Sequence, residues 1–131
     1  MSARKFDIYK AKKYGNVRVE HDGEIIRVWL YSTCVVEFDK ESQHIKLNTG
    51  GWRTATTRTA INNALKQGGF HDYLNEEYIN VFQKKGEWFV DFFGLVKPFQ
   101  DGVSLDVSFD GIRQAQAEAD ARVRQTIQQA A

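Results

Sequence analysis

In the segment EIIRVWLYS, apolar Ile26, Val28 and Leu30 alternate with Arg27, Trp29 and Tyr31. A period of two marks an extended strand with one buried face, because successive side chains leave a strand on opposite sides. Such a strand needs hydrogen-bonded neighbours, and the chain supplies them at once. CVVEFD follows, and then HIKLN after the polar connection KESQ. Val36 and Phe38 then join Ile45 and Leu47 on the core face, and the short connection calls for an antiparallel hairpin. Residues 16–48 therefore read as a meander of three or four strands, with His21-Asp22-Gly23 as the first turn.

Threonine and glycine end this pattern at Asn48 to Gly51, and a helix is expected to begin near Thr56 or Thr57, either of whose hydroxyls would cap its exposed N–H groups. Ala60, Ile61, Ala64 and Leu65 make one apolar stripe, and Gly68-Gly69 would stop the helix. Beyond a loop with His71 and Asp72, INVFQKKGEWFVDFF holds two β-rich runs around Lys84-Lys85-Gly86-Glu87, a hairpin. A short strand from Val103 to Phe109 is expected after the Pro98 and Asp101-Gly102 turn region. Asp110-Gly111 then opens a C-terminal helix over residues 110–131. Its stripe of Ile112, Ala115, Ala119, Val123 and Ile127 would either cover the sheet of its own chain or pair with a second copy.

These elements define an α+β fold in one domain over residues 1–131. The antiparallel strands form one strongly curved sheet or two small ones, with one short central helix and one long C-terminal helix. A chain of this length buries a core without covalent staples. No apolar run approaches the roughly 20 residues that cross a bilayer. MSARKFDIYK also lacks the apolar stretch of a secretory signal, so a cytoplasmic protein with no membrane partner is expected. The lone Cys34 fits a reducing compartment and is read as a small, buried or half-buried strand side chain.

No chemistry of catalysis is prominent. G-x-S-x-G and P-loop motifs are absent, His21, His44 and His71 lack the close spacing of zinc ligands, and neither Glu76-Glu77 nor the pair Asp91 and Asp106 stands out as an acid–base dyad. The expectation is a non-enzymatic protein without a cofactor or metal.

The best candidate site lies in LNTGGWRTATTRTAINNAL, where Gly50, Gly51, Trp52, Arg53, Thr54, Thr56, Thr57 and Arg58 precede or open the first helix. A helix N-terminus offers unpaired amides to an anion, glycine permits close backbone approach, and arginine forks suit phosphate. The same residues also suit a plain turn, with Trp52 plugging the core and one threonine capping the helix. A second surface is the outward face bearing Arg27, Trp29 and Tyr31, which suits base stacking but which a helix is more readily expected to cover. Glu37 and Lys46 are expected there too, in cross-strand ion pairs with Arg27. Arg4, Lys5, Lys10, Lys12 and Lys13 make residues 1–15 a basic arm for phosphates or a lysine-blunted edge strand.

The segments LYSTCVVEFD, IKLNTGGWRTATTRTAINNAL, VFQKKGEWFVDF and PFQDGVSLDV, in this order, resemble a group of small uncharacterised proteins of tailed bacteriophages that share an LN(S/T)GGWRT motif. The likeness covers about residues 28–108, leaving the basic N-terminal segment and the long C-terminal helix outside it. Where such relatives commonly carry a basic residue, Met and Asn at the helix start, this chain has Arg58, Thr59, Ala60, Ile61 and Asn62. The resemblance implies a phage origin, hence the cytoplasm of an infected bacterium, and transfers no catalytic residue.

The leading expectation is a phage accessory protein that binds nucleic acid or a nucleotide through the GGWRT loop. The alternative is a protein-binding module that inhibits a host or defence factor or decorates a virion. A homo-oligomer through the C-terminal helix is a separate expectation.

Overall fold

The computed structural model describes the backbone of residues 16–67 and 79–130 and the side chains of residues 16–65 and 79–125. Lys10, Lys12 and Lys13, Gly68-Gly69, His71, Asp72, Glu76-Glu77 and the side chain of Ile127 lie outside the described residues. In chain order the elements are β1 (Val17–Asp22), β2 (Ile25–Leu30), β3 (Thr33–Asp39), β4 (His44–Leu47), α1 (Ala55–Gln67), β5 (Ile79–Lys84), β6 (Glu87–Phe92), β7 (Leu95–Pro98), β8 (Val103–Asp106) and α2 (Phe109–Ala130).

The strands form two antiparallel sheets, ordered β1-β2-β3-β4-β8 and β5-β6-β7. The alternation in β2 holds: Ile26, Val28 and Leu30 are buried, and Val36, Phe38, Ile45 and Leu47 share their core. Val35 is buried as well, because the register slips between Val28 and Trp29 and the bulge lets two consecutive β3 side chains face inward. Cys34, next to this irregularity, is half-buried; burial and then the Glu37 charge raise its thiol pKa.

Several boundaries differ from the sequence expectation. His21 and Asp22 pair with Ile26 and Ile25 as strand residues, so the first turn is Gly23-Glu24. Tyr31 leaves the strand at φ 54 to begin the β2–β3 turn, and it is 64% exposed. The strand expected at Val103 to Phe109 stops at Asp106, since Phe109 already belongs to α2. There the Ser108 hydroxyl accepts from the Gly111 amide and caps the helix. Pro98 ends β7 instead of making a turn, and LVKP was too short and too lightly patterned to announce a strand.

The β5–β6 hairpin closes on Lys85-Gly86, with φ values of 54 and 82, the double left-handed turn that matches strand twist. Each helix then bridges the two sheets. α1 packs on β2 and β3 of one and β5 of the other, while α2 packs on β8 and β7. Ala60, Ile61, Ala64 and Leu65 are all buried, as their spacing requires. Among the described residues of the α2 stripe, Ala115 is buried and Ile112 and Ala119 pack against the core, whereas Val123 is 57% exposed.

Side chains from the helices also close sheet edges. Asn62 of α1 donates to the Val81 carbonyl and accepts from the Val81 amide, both at 2.8 Å, so its amide imitates a neighbouring strand. Arg122 of α2 donates to the Val96 carbonyl at 3.0 Å. Unpaired strand edges invite foreign pairing, and these contacts occupy them from within.

Candidate cationic cleft

The loop before α1 is held by hydrogen bonds of its own chain. Asp101 Oδ1 accepts from the Thr49 amide at 2.7 Å and from the fully buried Thr49 hydroxyl at 2.8 Å. The Gly50 amide donates to Asn48 Oδ1, the Gly51 amide to Thr49 Oγ1 and the Trp52 amide to the Thr49 carbonyl. Gly50 has φ +64, and a Cβ there would stand 2.8 Å from the Thr33 side chain, so both conformation and space require glycine.

The helix cap is Thr54, upstream of the threonines expected to serve. Its hydroxyl accepts from the Thr57 amide at 3.2 Å and donates to Thr57 Oγ1 at 3.1 Å. Thr57 is buried at the third helical position, and Thr56 is exposed. Many of the amides that might have cradled an anion are thus engaged internally. Trp52 does not plug the core either; it is 67% exposed.

The two arginines behave differently from the backbone around them. The Arg53 Cζ lies 5.5 Å from the Trp88 ring centroid and 5.0 Å from that of Phe99, and its Nη2 donates to the Phe99 carbonyl at 3.5 Å. The Arg58 Cζ lies 5.3 Å from the same Trp88 centroid, and its Nη1 donates to Gln83 Oε1 at 3.1 Å. Trp88 and Phe99 are themselves buried in an edge-to-face pair with centroids 5.8 Å apart. Among the described residues neither guanidinium has a carboxylate partner. Both are held by neutral acceptors and π faces, which fix direction without cancelling charge.

Beside them opens a cleft of about 590 Å³ lined by Arg53, Gln83, Glu87, Trp88, Phe89 and Pro98, among others. Trp88, Phe99 and Gln83 escaped the sequence reading as parts of a site. Trp88 alternates with Val90 and Phe92 and so reads as core, and nothing local in GEWFV reveals that the start of α1 comes to lie beside it.

The second candidate surface is also open. Among the described residues no helix covers Trp29 or Tyr31, contrary to the sequence expectation, because α1 packs on the opposite, apolar side of β2. Arg18 lies over Trp29 at 4.9 Å, and Trp29 Nε1 donates to Glu20 Oε1 at 3.3 Å. Arg27 meets Glu20 at 3.3 Å and Asp22 at 3.5 Å, and faces Glu37 across β3, which in turn faces Lys46. Desolvation pulls Arg27 down, but Glu20, Glu37 and Asp22 hold its pKa above the ordinary value. The expected residues Glu37 and Lys46 do stand in register on this face, but the ion pairs Arg27 forms among the described residues are with Glu20 and Asp22 of β1.

Two bridged antiparallel sheets, with two arginines that form no salt bridge among the described residues set against an aromatic wall, define a small α+β protein with an open cleft beside that wall. Among the described residues there is no metal-ligating cluster and no helix long and apolar enough to cross a membrane. Residues 3–106 match the Kyanoviridae Gp96 protein family, and the chain belongs to this family of phage proteins. The match takes in the basic N-terminal segment that the motif resemblance left out, and it stops before α2. No curated protein and no solved structure matches the chain.

Proposed function

We propose that this phage protein is a non-catalytic accessory factor that engages a phosphate-bearing partner, nucleic acid or nucleotide, through Arg53 and Arg58. The supporting observation is their shared station at Trp88, where among the described residues neither forms a salt bridge with a carboxylate. Each guanidinium keeps N–H donors beyond the one bonded to a neutral acceptor, and an anion can accept from them. Side chains rather than Gly50 and Gly51 amides do the binding in this reading, since those amides are engaged. Trp52 and Thr56, both exposed, remain available beside the arginines.

Fluorescence anisotropy with labelled nucleic acid and competition by nucleotides test the proposal. Affinity should fall steeply as salt rises, and Arg53→Ala with Arg58→Ala should weaken binding and flatten that dependence. Absence of binding to any of these ligands at low salt would overturn it.

A second reading, a module that binds a host, defence or virion protein, is favoured by the 75% exposure of Phe109 and the 57% exposure of Val123 on α2. The same exposure supports a homo-oligomer. A pull-down from infected lysate, divided into nuclease-treated and untreated halves, separates protein capture from nucleic-acid capture. Light scattering at high concentration checks oligomerisation, and a monomer would remove that part.

A further inference from the structure

Gln83, Trp88 and Phe99 stand in one row across the small sheet. Gln83 of β5 pairs with Trp88 of β6, and the Phe99 amide, just past the end of β7, donates to the Trp88 carbonyl. Arg58 is tied to the Gln83 side chain at one end of this row, and Arg53 to the Phe99 carbonyl at the other. Neighbouring strands lie about 4.8 Å apart, so the backbone positions of the two anchors are separated by roughly 9–10 Å. Trp88, 5% exposed, fills the space between, with the Arg53 and Arg58 Cζ atoms 5.5 Å and 5.3 Å from its ring centroid. The indole is therefore a spacer that holds the two guanidiniums on either side of it. Arg53 is exposed and Arg58 half-buried, so both can be reached from solvent. Glu87 also lines the cleft, but it alternates with Trp88 onto the opposite face of β6, and among the described residues it forms no salt bridge with either arginine.

Resting on the phosphate-binding reading above, we infer that the site takes a ligand with at least two linked phosphates, one at Arg53 and one at Arg58. Two arginines that shared a single phosphate would have to converge on it. These are tied to neutral acceptors at opposite ends of a row with a buried indole between, so each fork serves an anion of its own. A phosphate monoester uses one of them and leaves the other idle. Nucleic acid strands and nucleoside polyphosphates share the required chemistry, because both carry phosphates in succession along a flexible chain.

The full chain should be titrated with a fluorescent oligothymidylate of about 12 nucleotides, with ATP and with AMP. The strand and ATP should each bind more tightly than AMP, and the tighter of the two identifies the source of the phosphates. Arg53→Ala and Arg58→Ala, made singly and together, form a double-mutant cycle. Each single change should lower the salt slope for the strand by about 0.7 and the pair by about 1.4, two separate single-strand phosphate contacts. The two losses of affinity should multiply in the double variant to within about twofold. The denaturation midpoint of each variant verifies folding.

If either single change loses nearly as much as the double one, the arginines share one phosphate, and the two-phosphate site is overturned while phosphate binding stands. AMP binding as tightly as ATP and the strand has the same consequence. If none of these ligands binds at low salt, or the double variant binds them like the parent, both inferences fall.

Discussion

Trp29 and Trp88 each lie beneath or beside arginines, yet the two regions have opposite electrostatic character. At Trp29 the indole, Arg18, Arg27, Glu20 and Asp22 stand on the flat face of the larger sheet, and the charges answer one another across neighbouring strands. At Trp88 the arginines come from a loop and a helix turn, reach an indole on the other sheet, and among the described residues find a carbonyl, an amide side chain and rings. Strand register puts opposite charges side by side as a matter of local design. Two elements converging from distant parts of the chain can leave charge uncompensated. The same residue types therefore make an ion-paired surface in one place and, among the described residues, leave two guanidiniums without a salt bridge in the other.

The difference should appear first in stability. Trp88 is 5% exposed, so Trp88→Ala should cost about 3–5 kcal/mol. Trp29→Ala removes a half-buried ring and should cost clearly less, both measured by urea denaturation. Equal losses would break the contrast. Next comes Asp101, whose carboxylate holds the loop that carries Arg53. Asp101→Ala leaves a buried hydroxyl and an amide unpartnered and should cost about 2–4 kcal/mol.

Polyanion binding sharpens the comparison further. Arg18→Ala with Arg27→Ala should change affinity much less than the Arg53 and Arg58 pair, since carboxylates already neutralise the Trp29 surface. In stability, Arg27→Ala should cost little, because its ion pairs are exposed to solvent. Comparable loss of binding from both pairs would show that ion pairing does not distinguish the surfaces.

The smallest effect is on acid stability. Asp39 is lowered by the Ser42 and then Glu41 backbone hydrogen bonds, and Asp106 by the Ser108 hydroxyl and then its amide. Carboxylates depressed in the folded state stabilise it above their unfolded pKa, and that contribution vanishes as pH falls through the folded value. Asp39→Asn and Asp106→Asn should therefore lower the thermal midpoint at pH 7, with the gap from the parent shrinking below about pH 4. An unchanged gap under acid would contradict the assignment.

Much of the fold was legible because its signals are local. The β1–β4 meander follows from alternation and turn residues, the Lys85-Gly86 hairpin from a turn that tolerates positive φ, and the α1 stripe from helical spacing. β7 was missed because four residues ending in proline carry too little pattern. The cap was assigned two or three residues late because several threonines in succession offer equivalent hydroxyls, and only the path of the preceding loop selects Thr54. Asn62 gave no hint of its role, since imitation of a strand partner depends on where β5 comes to lie.

By itself, the order of residues determined an α+β chain and brought Arg53 and Arg58 close together in sequence, because periodicity and turn preference act over a few residues. Tertiary structure decided that Gln83, Trp88 and Phe99 meet those arginines, across separations of 25 to 46 residues in their hydrogen bonds. Whether a guanidinium meets a carboxylate or a ring depends on which surfaces the packed core brings together, and that is a property of the assembled chain.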